Sequence, residues 1–216
     1  MSRARNPRRD RPRGGATRPP ERTRAVRADF DRDSVVVYQA FSDPIADAAL
    51  QADRFVAPYS FGRMTWIKPS FLWLMDRSQW ARRAGQTRVL ALRISREDWE
   101  RALARAVLTD PDPSVYADAS SWREAFARAE VHVQWDPERS IRGQKLAQRS
   151  IQVGIGRALV RELATDWVRE LRDLTPLVRR IHEHLTRGDP RRAQRLLPPE
   201  REYPLPEAIA RRIGAS

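Results

Sequence analysis

The chain has 216 residues, 41% hydrophobic content and seven tryptophans, enough for one folded domain with a substantial core. Its formal net charge is +13, and ten arginines against Asp10 and Glu21 put +8 of this in residues 1–27, so the rest is only mildly basic. The absence of cysteine excludes disulfides, thiolate nucleophiles and cysteine-held zinc, and no apolar run approaches the ~18 residues of a membrane span.

The charged start is not followed by an apolar stretch, so no secretory signal is read. A cytoplasmic protein without a membrane partner is expected. Residues 1–28 are rich in Arg, Pro and Gly and poor in apolar side chains. They cannot bury enough surface to offset their ordering entropy, which predicts a disordered tail that attracts polyanions without sequence specificity. The folded domain is expected over residues 34–206, with 207–216 as a C-terminal tail.

The β-branched and aromatic run Val35-Val36-Val37-Tyr38-Gln39-Ala40-Phe41 reads as a strand. Asp43-Pro44 supplies an N-cap and a proline at the first helical position, with Ile45, Ala48, Ala49 and Ala52 on one face of a short helix. Residues 63–67 read as a second strand, ended at Lys68 because a residue before proline avoids the α region. Pro69 opens a helix to about residue 83, with Phe71, Leu72, Met75 and Trp80 inward. A turn at Ala84-Gly85 precedes a half-buried strand over 88–94. Ser95 then caps a helix over 96–108, with Asp98 where a capping box places Glu.

After the loop Asp110-Pro111-Asp112-Pro113, Ser120 or Ser121 starts a helix to about residue 129. Residues 131–135 form a strand stopped by Asp136-Pro137, and a loop rich in Arg and Gln leads to a strand over 150–155. The remainder reads as helices over 157–172, 175–187 and 190–197. This order predicts an α+β fold, with a single central mixed or antiparallel sheet, flanking helices and a helical C-terminal third. The strands do not alternate regularly with long helices, which disfavours a Rossmann domain.

Three constellations could carry chemistry. Lys68 is one of two lysines set against thirty-nine arginines, within Trp66-Ile67-Lys68-Pro69-Ser70-Phe71-Leu72-Trp73. A compact ammonium, the Ser70 hydroxyl and a helix N-terminus together make an anion site, with Trp66 as a stacking face for a base. The alternative is an aromatic core past which Lys68 snorkels. In Gly154-Ile155-Gly156-Arg157 the glycines let a phosphate approach the backbone and Arg157 clamp it, although Leu159 replaces the third glycine of a dinucleotide fingerprint.

Gln39, His132, Gln134 and Gln152 stand between apolar neighbours in strands. They line a ligand pocket if they converge, and a solvent face if they alternate outward. Arg139, Arg142, Lys145 and Arg149 form either a basic rim for a nucleic acid or a solvated loop. His182 and His184 are two apart on a helix, where metal ligands need three or four, so no metal is expected. No P-loop and no Gly-x-Ser-x-Gly elbow is present.

Four stretches resemble a known family: Val37-Tyr38-Gln39-Ala40-Phe41, 64–73 around Trp-Ile-Lys-Pro-Ser-Phe-Leu-Trp, Val133-Gln134-Trp135-Asp136-Pro137-Glu138-Arg139 and Arg149-Ser150-Ile151-Gln152-Val153-Gly154. It is the family numbered 4291 among the domains of unknown function. The resemblance spans about residues 35–206 and implies no particular activity. A looser similarity is to ADP-ribosyltransferases, whose folds begin with a strand ending in Tyr-His or Tyr-Arg and a short helix; the unit over 89–108 is similar as well. That similarity implies NAD as cofactor. Gln39 stands where a His or Arg would hold the NAD ribose, and no strand-borne Glu is evident, so Gln134 or Gln152 would take its place.

The expected function is an enzyme directed at a nucleotide or nucleic acid. Lys68, Ser70, Trp66, Arg149 and Arg157 bind the ligand in this reading, and Gln39, Gln134 and Gln152 are the catalytic candidates. The alternative is a non-catalytic RNA- or DNA-binding module with a basic tail.

Overall fold

A computed structural model describes residues 23–216 of the chain, and the expectations for residues 1–22 lie outside it. The first elements are β1 (Arg27–Ala28), β2 (Ser34–Phe41), α1 (Asp43–Ala52), β3 (Thr65–Ile67), α2 (Phe71–Ser78), β4 (Arg88–Ser95) and α3 (Arg96–Ala104). Then come β5 (Val107–Leu108), α4 (Ala119–Arg128), β6 (Val131–Arg139), β7 (Lys145–Ile155) and α5 (Val160–Glu162), which runs into a π-helical turn at Leu163–Trp167. The chain closes with β8 (Val168–Asp173), α6 (Thr175–Thr186), α7 (Pro190–Gln194), β9 (Arg201–Glu202) and α8 (Glu207–Arg212).

The class is α+β, and the sheet expected as one piece is divided. Strands β2-β4-β8 form one antiparallel sheet, β3-β7-β6-β5 a second, and β1-β9 a two-stranded ribbon. A bridge between Tyr38 and Lys68 joins the two larger sheets: Tyr38 N–H donates to the Lys68 carbonyl at 2.7 Å and Lys68 N–H to the Tyr38 carbonyl at 3.3 Å. Beyond the bridge β2 and β3 diverge, and the gap between them opens as a cleft.

β2 is apolar at successive positions because both faces of its sheet are covered. Val35 and Val37 join a core with Leu90, Leu92, Ile94, Trp99, Val153 and Trp167. Val36 and Tyr38 face the opposite way, into a core with Phe71, Met75, Val89, Val178 and Ile181. Burying a side chain of this size contributes about 1.5–3 kcal/mol, so the two cores fix β2 from both sides.

Several segments depart from the sequence reading. The helix expected over 157–172 stops at Trp167, and residues 168–173 become β8. The edge of β4 captures them, pairing Leu92 with Leu171 and Arg93 with Glu170, the latter an ion pair at 3.3 Å. The helix expected to 108 ends at Ala104, since Val107 and Leu108 pair in parallel with β6. The fold begins before Ser34: Val26 and Ala28 are buried. It also ends later than residue 206, because α8 buries Ile209 and Ile213, and the Trp135 indole N–H donates to the Ile213 carbonyl at 2.7 Å.

Candidate functional site

The diverging sheets enclose a cleft of about 730 Å³. Its walls carry Gln39 from β2, Thr65 and Trp66 from β3, Lys68 from the bridge, Trp73 and Arg77 from α2, and Gln134, Asp136 and Gln152 from β6 and β7. Strand register explains the convergence. Gln134 lies opposite Gln152 and Asp136 opposite Ser150, and side chains two apart on a strand share a face. Trp66 lies opposite Gly154, so Lys68, two residues on, comes level with Gln152.

Each polar group is held. Gln134 Nε2 donates to Asp136 Oδ1 at 3.0 Å and Gln152 Nε2 to Asp136 Oδ2 at 2.9 Å, so two amides orient one carboxylate. Gln39 Nε2 spans the gap between the sheets to Thr65 Oγ1 at 2.7 Å and the Trp66 carbonyl at 3.0 Å. Lys68 Nζ donates to the Trp66 carbonyl at 2.9 Å and lies 5.6 Å from the centre of the Trp73 ring. Two acceptors are left over. The side-chain oxygens of Gln39 and Gln86, both cleft residues, are buried without a hydrogen-bond partner. Such orphans are uncommon, because each forfeits the hydration it had in the unfolded chain.

Lys68 is only 8% exposed. Burial pulls its ammonium down to a pKa of about 7; the nearby Arg77 pulls the same way, and Asp136 opposes both. The amine is therefore poised near neutrality, and an arriving anion would fix it in the charged form.

Ser70 does not face the cleft. Its Oγ accepts from Trp73 N–H at 3.2 Å as the N-cap of α2 and also hydrogen-bonds the half-buried Glu138 carboxyl. The first N–H of the helix, on Phe71, donates to Glu200 Oε1 at 2.7 Å. Burial raises the Glu200 carboxyl to a pKa of about 8, with the Phe71 N–H pulling it down and Glu138 pushing it up. The start of α2 is thus capped from within the chain, because the Glu200 carboxyl oxygen takes the Phe71 N–H.

The glycine segment also serves packing. A Cβ on Gly154 would sit 3.0 Å from the Trp66 indole, so the glycine lets that ring lie across β7. A Cβ on Gly156 would meet the Glu130 carbonyl at 2.6 Å. Arg157 is exposed beyond it, outside the cleft. Arg149 is exposed on β7, and its guanidinium donates to the Trp135 carbonyl at 3.0 Å. His132 is buried against Phe126, with ring centres 4.6 Å apart, and is not a cleft residue.

Asp136 is the residue that the sequence reading missed. Asp136-Pro137 reads as the end of a strand, yet β6 continues to Arg139, and Asp136, in regular register two residues after Gln134, shares its cleft face.

The family model described as a domain of unknown function, DUF4291, matches residues 25–203, from the ribbon before β2 to the residue that follows β9. The chain belongs to the DUF4291 family. The match takes in every cleft residue of this DUF4291 protein, together with Glu138 and Glu200. No curated protein matches the chain. Among the described residues no helix is long and apolar enough to cross a membrane, and no three His, Asp or Glu side chains gather as a metal cluster.

Proposed function

We propose that the cleft binds a nucleotide and that this DUF4291 protein is a transferase acting on it, free or within a nucleic acid. One observation carries the reading: a poised lysine, a carboxylate oriented by two amides, and two unpartnered amide oxygens converge in one cleft of nucleotide size. The Lys68 ammonium meets a phosphate, with Arg63 and Arg77, both exposed, adding positive charge. Trp66 or Trp73 offers a ring face for the base. Gln39 Oε1 and Gln86 Oε1 accept from base N–H groups or ribose hydroxyls.

Asp136 then takes the proton of a substrate hydroxyl, as its amide contacts leave lone pairs free. NAD is one nucleotide of suitable kind. In an ADP-ribosyltransferase-like version, Gln39 lies on the ribose side and Asp136 provides the strand-borne carboxylate.

Calorimetric titration of AMP, ADP and NAD into the wild-type protein and Lys68→Met tests this. At least one nucleotide should bind saturably, and the variant should lose at least about tenfold in affinity while keeping its melting temperature. Equal affinity in a folded Lys68→Met, or no binding by the wild type, would refute the reading. The rival reading, a non-catalytic RNA- or DNA-binding module, draws on arginines outside the cleft. Removing residues 1–22 separates the two: a binder relying on that segment loses most of its affinity and salt dependence, whereas the enzyme keeps its action on a small nucleotide.

A further inference from the structure

The cleft takes one flank of α2, through Trp73 and Arg77. The other flank, through Leu72 and Asp76, borders a second groove of about 860 Å³. Its floor is apolar, built from Leu72, Met75, Trp80, Ile141 and Leu185, and Arg82 and Arg142 stand at its rim. His182 stacks on Trp80, with ring centres 5.6 Å apart and planes 14° from parallel. Arg82 Nη1 lies 3.1 Å from His182 Nε2. Arginine can only donate, so Nε2 accepts and the proton of a neutral ring sits on Nδ1. That Nδ1 is buried without a partner, a donor lacking its acceptor.

The backbone here is strained. Gln79, Trp80 and Ala81 have φ of 53, 57 and 59°, three successive non-glycine residues in the left-handed region. Each costs on the order of 1 kcal/mol or more, and such runs concentrate at functional sites. This one ends α2 and delivers Trp80 and Arg82 to the groove.

Charge points to the occupant. Elsewhere arginines are matched by acids, as Arg88 is by Asp47 and Asp173 and Arg93 by Asp31 and Glu170. Beside the groove, residues 177–195 carry six exposed arginines against Glu183 and Asp189, and Asp189 is engaged as the N-cap of α7. Arg179 is exposed on α6, one turn before the groove residue His182.

We propose that this groove, with the arginines of α6 and α7, holds the flanking strand of a single-stranded polynucleotide whose target nucleotide enters the cleft. The proposal rests on the cleft being a nucleotide site, and it names the substrate as a strand rather than a free nucleotide. An apolar floor with an aromatic ring suits a base, an arginine rim suits phosphates, and the His182 Nδ1 proton suits a phosphate or base carbonyl oxygen. The two depressions lie about one helix diameter apart, ~10 Å. At ~3.4 Å per stacked nucleotide, about three nucleotides span that distance.

The test uses the full chain and fluorescence anisotropy with a labelled twelve-nucleotide RNA and the DNA of the same sequence. The variants are Arg82→Glu/Arg142→Glu/Arg179→Glu and, should the first fail to fold, Arg142→Glu/Arg179→Glu, which alters only exposed side chains. The triple variant should lose at least about thirtyfold in affinity, and its slope of log K against log salt should shrink by about 2. AMP binding should stay unchanged. A loss confined to RNA assigns the strand as RNA, and equal losses admit either strand. Unchanged oligonucleotide affinity in the folded variants overturns the proposal, as does equally effective competition by a poly-glutamate peptide. Variants that lose the oligonucleotide while Lys68→Met binds every ligand normally would refute the cleft reading and leave the strand surface standing.

Discussion

The two sides of the short turn Lys68-Pro69-Ser70 offer an instructive contrast. Both hold ionisable groups drawn out of water beside a helix start, and both look from sequence like parts of one anion site. On the Ser70 side everything is satisfied from within: Ser70 caps Trp73, Glu138 takes the Ser70 hydroxyl and Glu200 takes the Phe71 N–H. On the Lys68 side a backbone carbonyl holds the ammonium, and two amide oxygens in the same cleft have no partner. A positive helix end answered by the chain's own carboxylate is architecture. Polar groups left over in a cleft are an invitation to a ligand.

The largest effect that sharpens this contrast is on the Lys68 side. Its folded pKa is depressed to about 7 from 10.5, so the charge that attracts a phosphate fades as the pH rises through about 7. Affinity for AMP should fall by about 50-fold between pH 7 and 9, approaching tenfold per pH unit at the upper end. Lys68→Met should show a flat profile in the same titrations; a wild-type profile as flat as the variant's breaks the contrast.

The Ser70 side should respond in stability instead. Glu200→Leu leaves the Phe71 N–H buried without an acceptor, and chemical denaturation should record a loss of about 1–3 kcal/mol with AMP affinity unchanged. The pH dependence runs in the same direction but appears in stability rather than in affinity. The folded pKa of Glu200 is raised from 4.5 to about 8, so its contribution is fully present below pH 4.5 and lost as the pH rises through about 8. Glu200→Gln should remove that decline, which melting curves between pH 4.5 and 8.5 would reveal. A Glu200 variant that weakened the nucleotide while sparing stability would merge the two sides into one site.

The smallest effect is the most discriminating. Ser70→Ala should cost about 1 kcal/mol as a lost helix cap and leave nucleotide affinity alone. A tenfold affinity loss would return Ser70 to the ligand site.

How far the sequence reached follows the same division. Local chemistry was readable: the β-branched run of β2, the serine cap of α3, and the position of Lys68 before a proline. Whether Gln134 and Gln152 line a pocket or face solvent was left open, and the β6–β7 register decides it. What escaped depends on distant partners. Val168–Asp173 has helical composition and became a strand because β4 had an edge to pair. Asp136 escaped because Asp-Pro is a stop signal that β6 overrides by continuing to Arg139. Glu200 gave no local sign at all, since its partner Phe71 lies 129 residues earlier.

That separation has a consequence for biogenesis. A ribosome releases the chain from its N-terminus at about 5–20 residues per second. Phe71 therefore waits until Glu200, 129 residues later, has been made before its cap exists. A nascent chain that stops short of Glu200 can form the β6–β7 hairpin but not the completed start of α2.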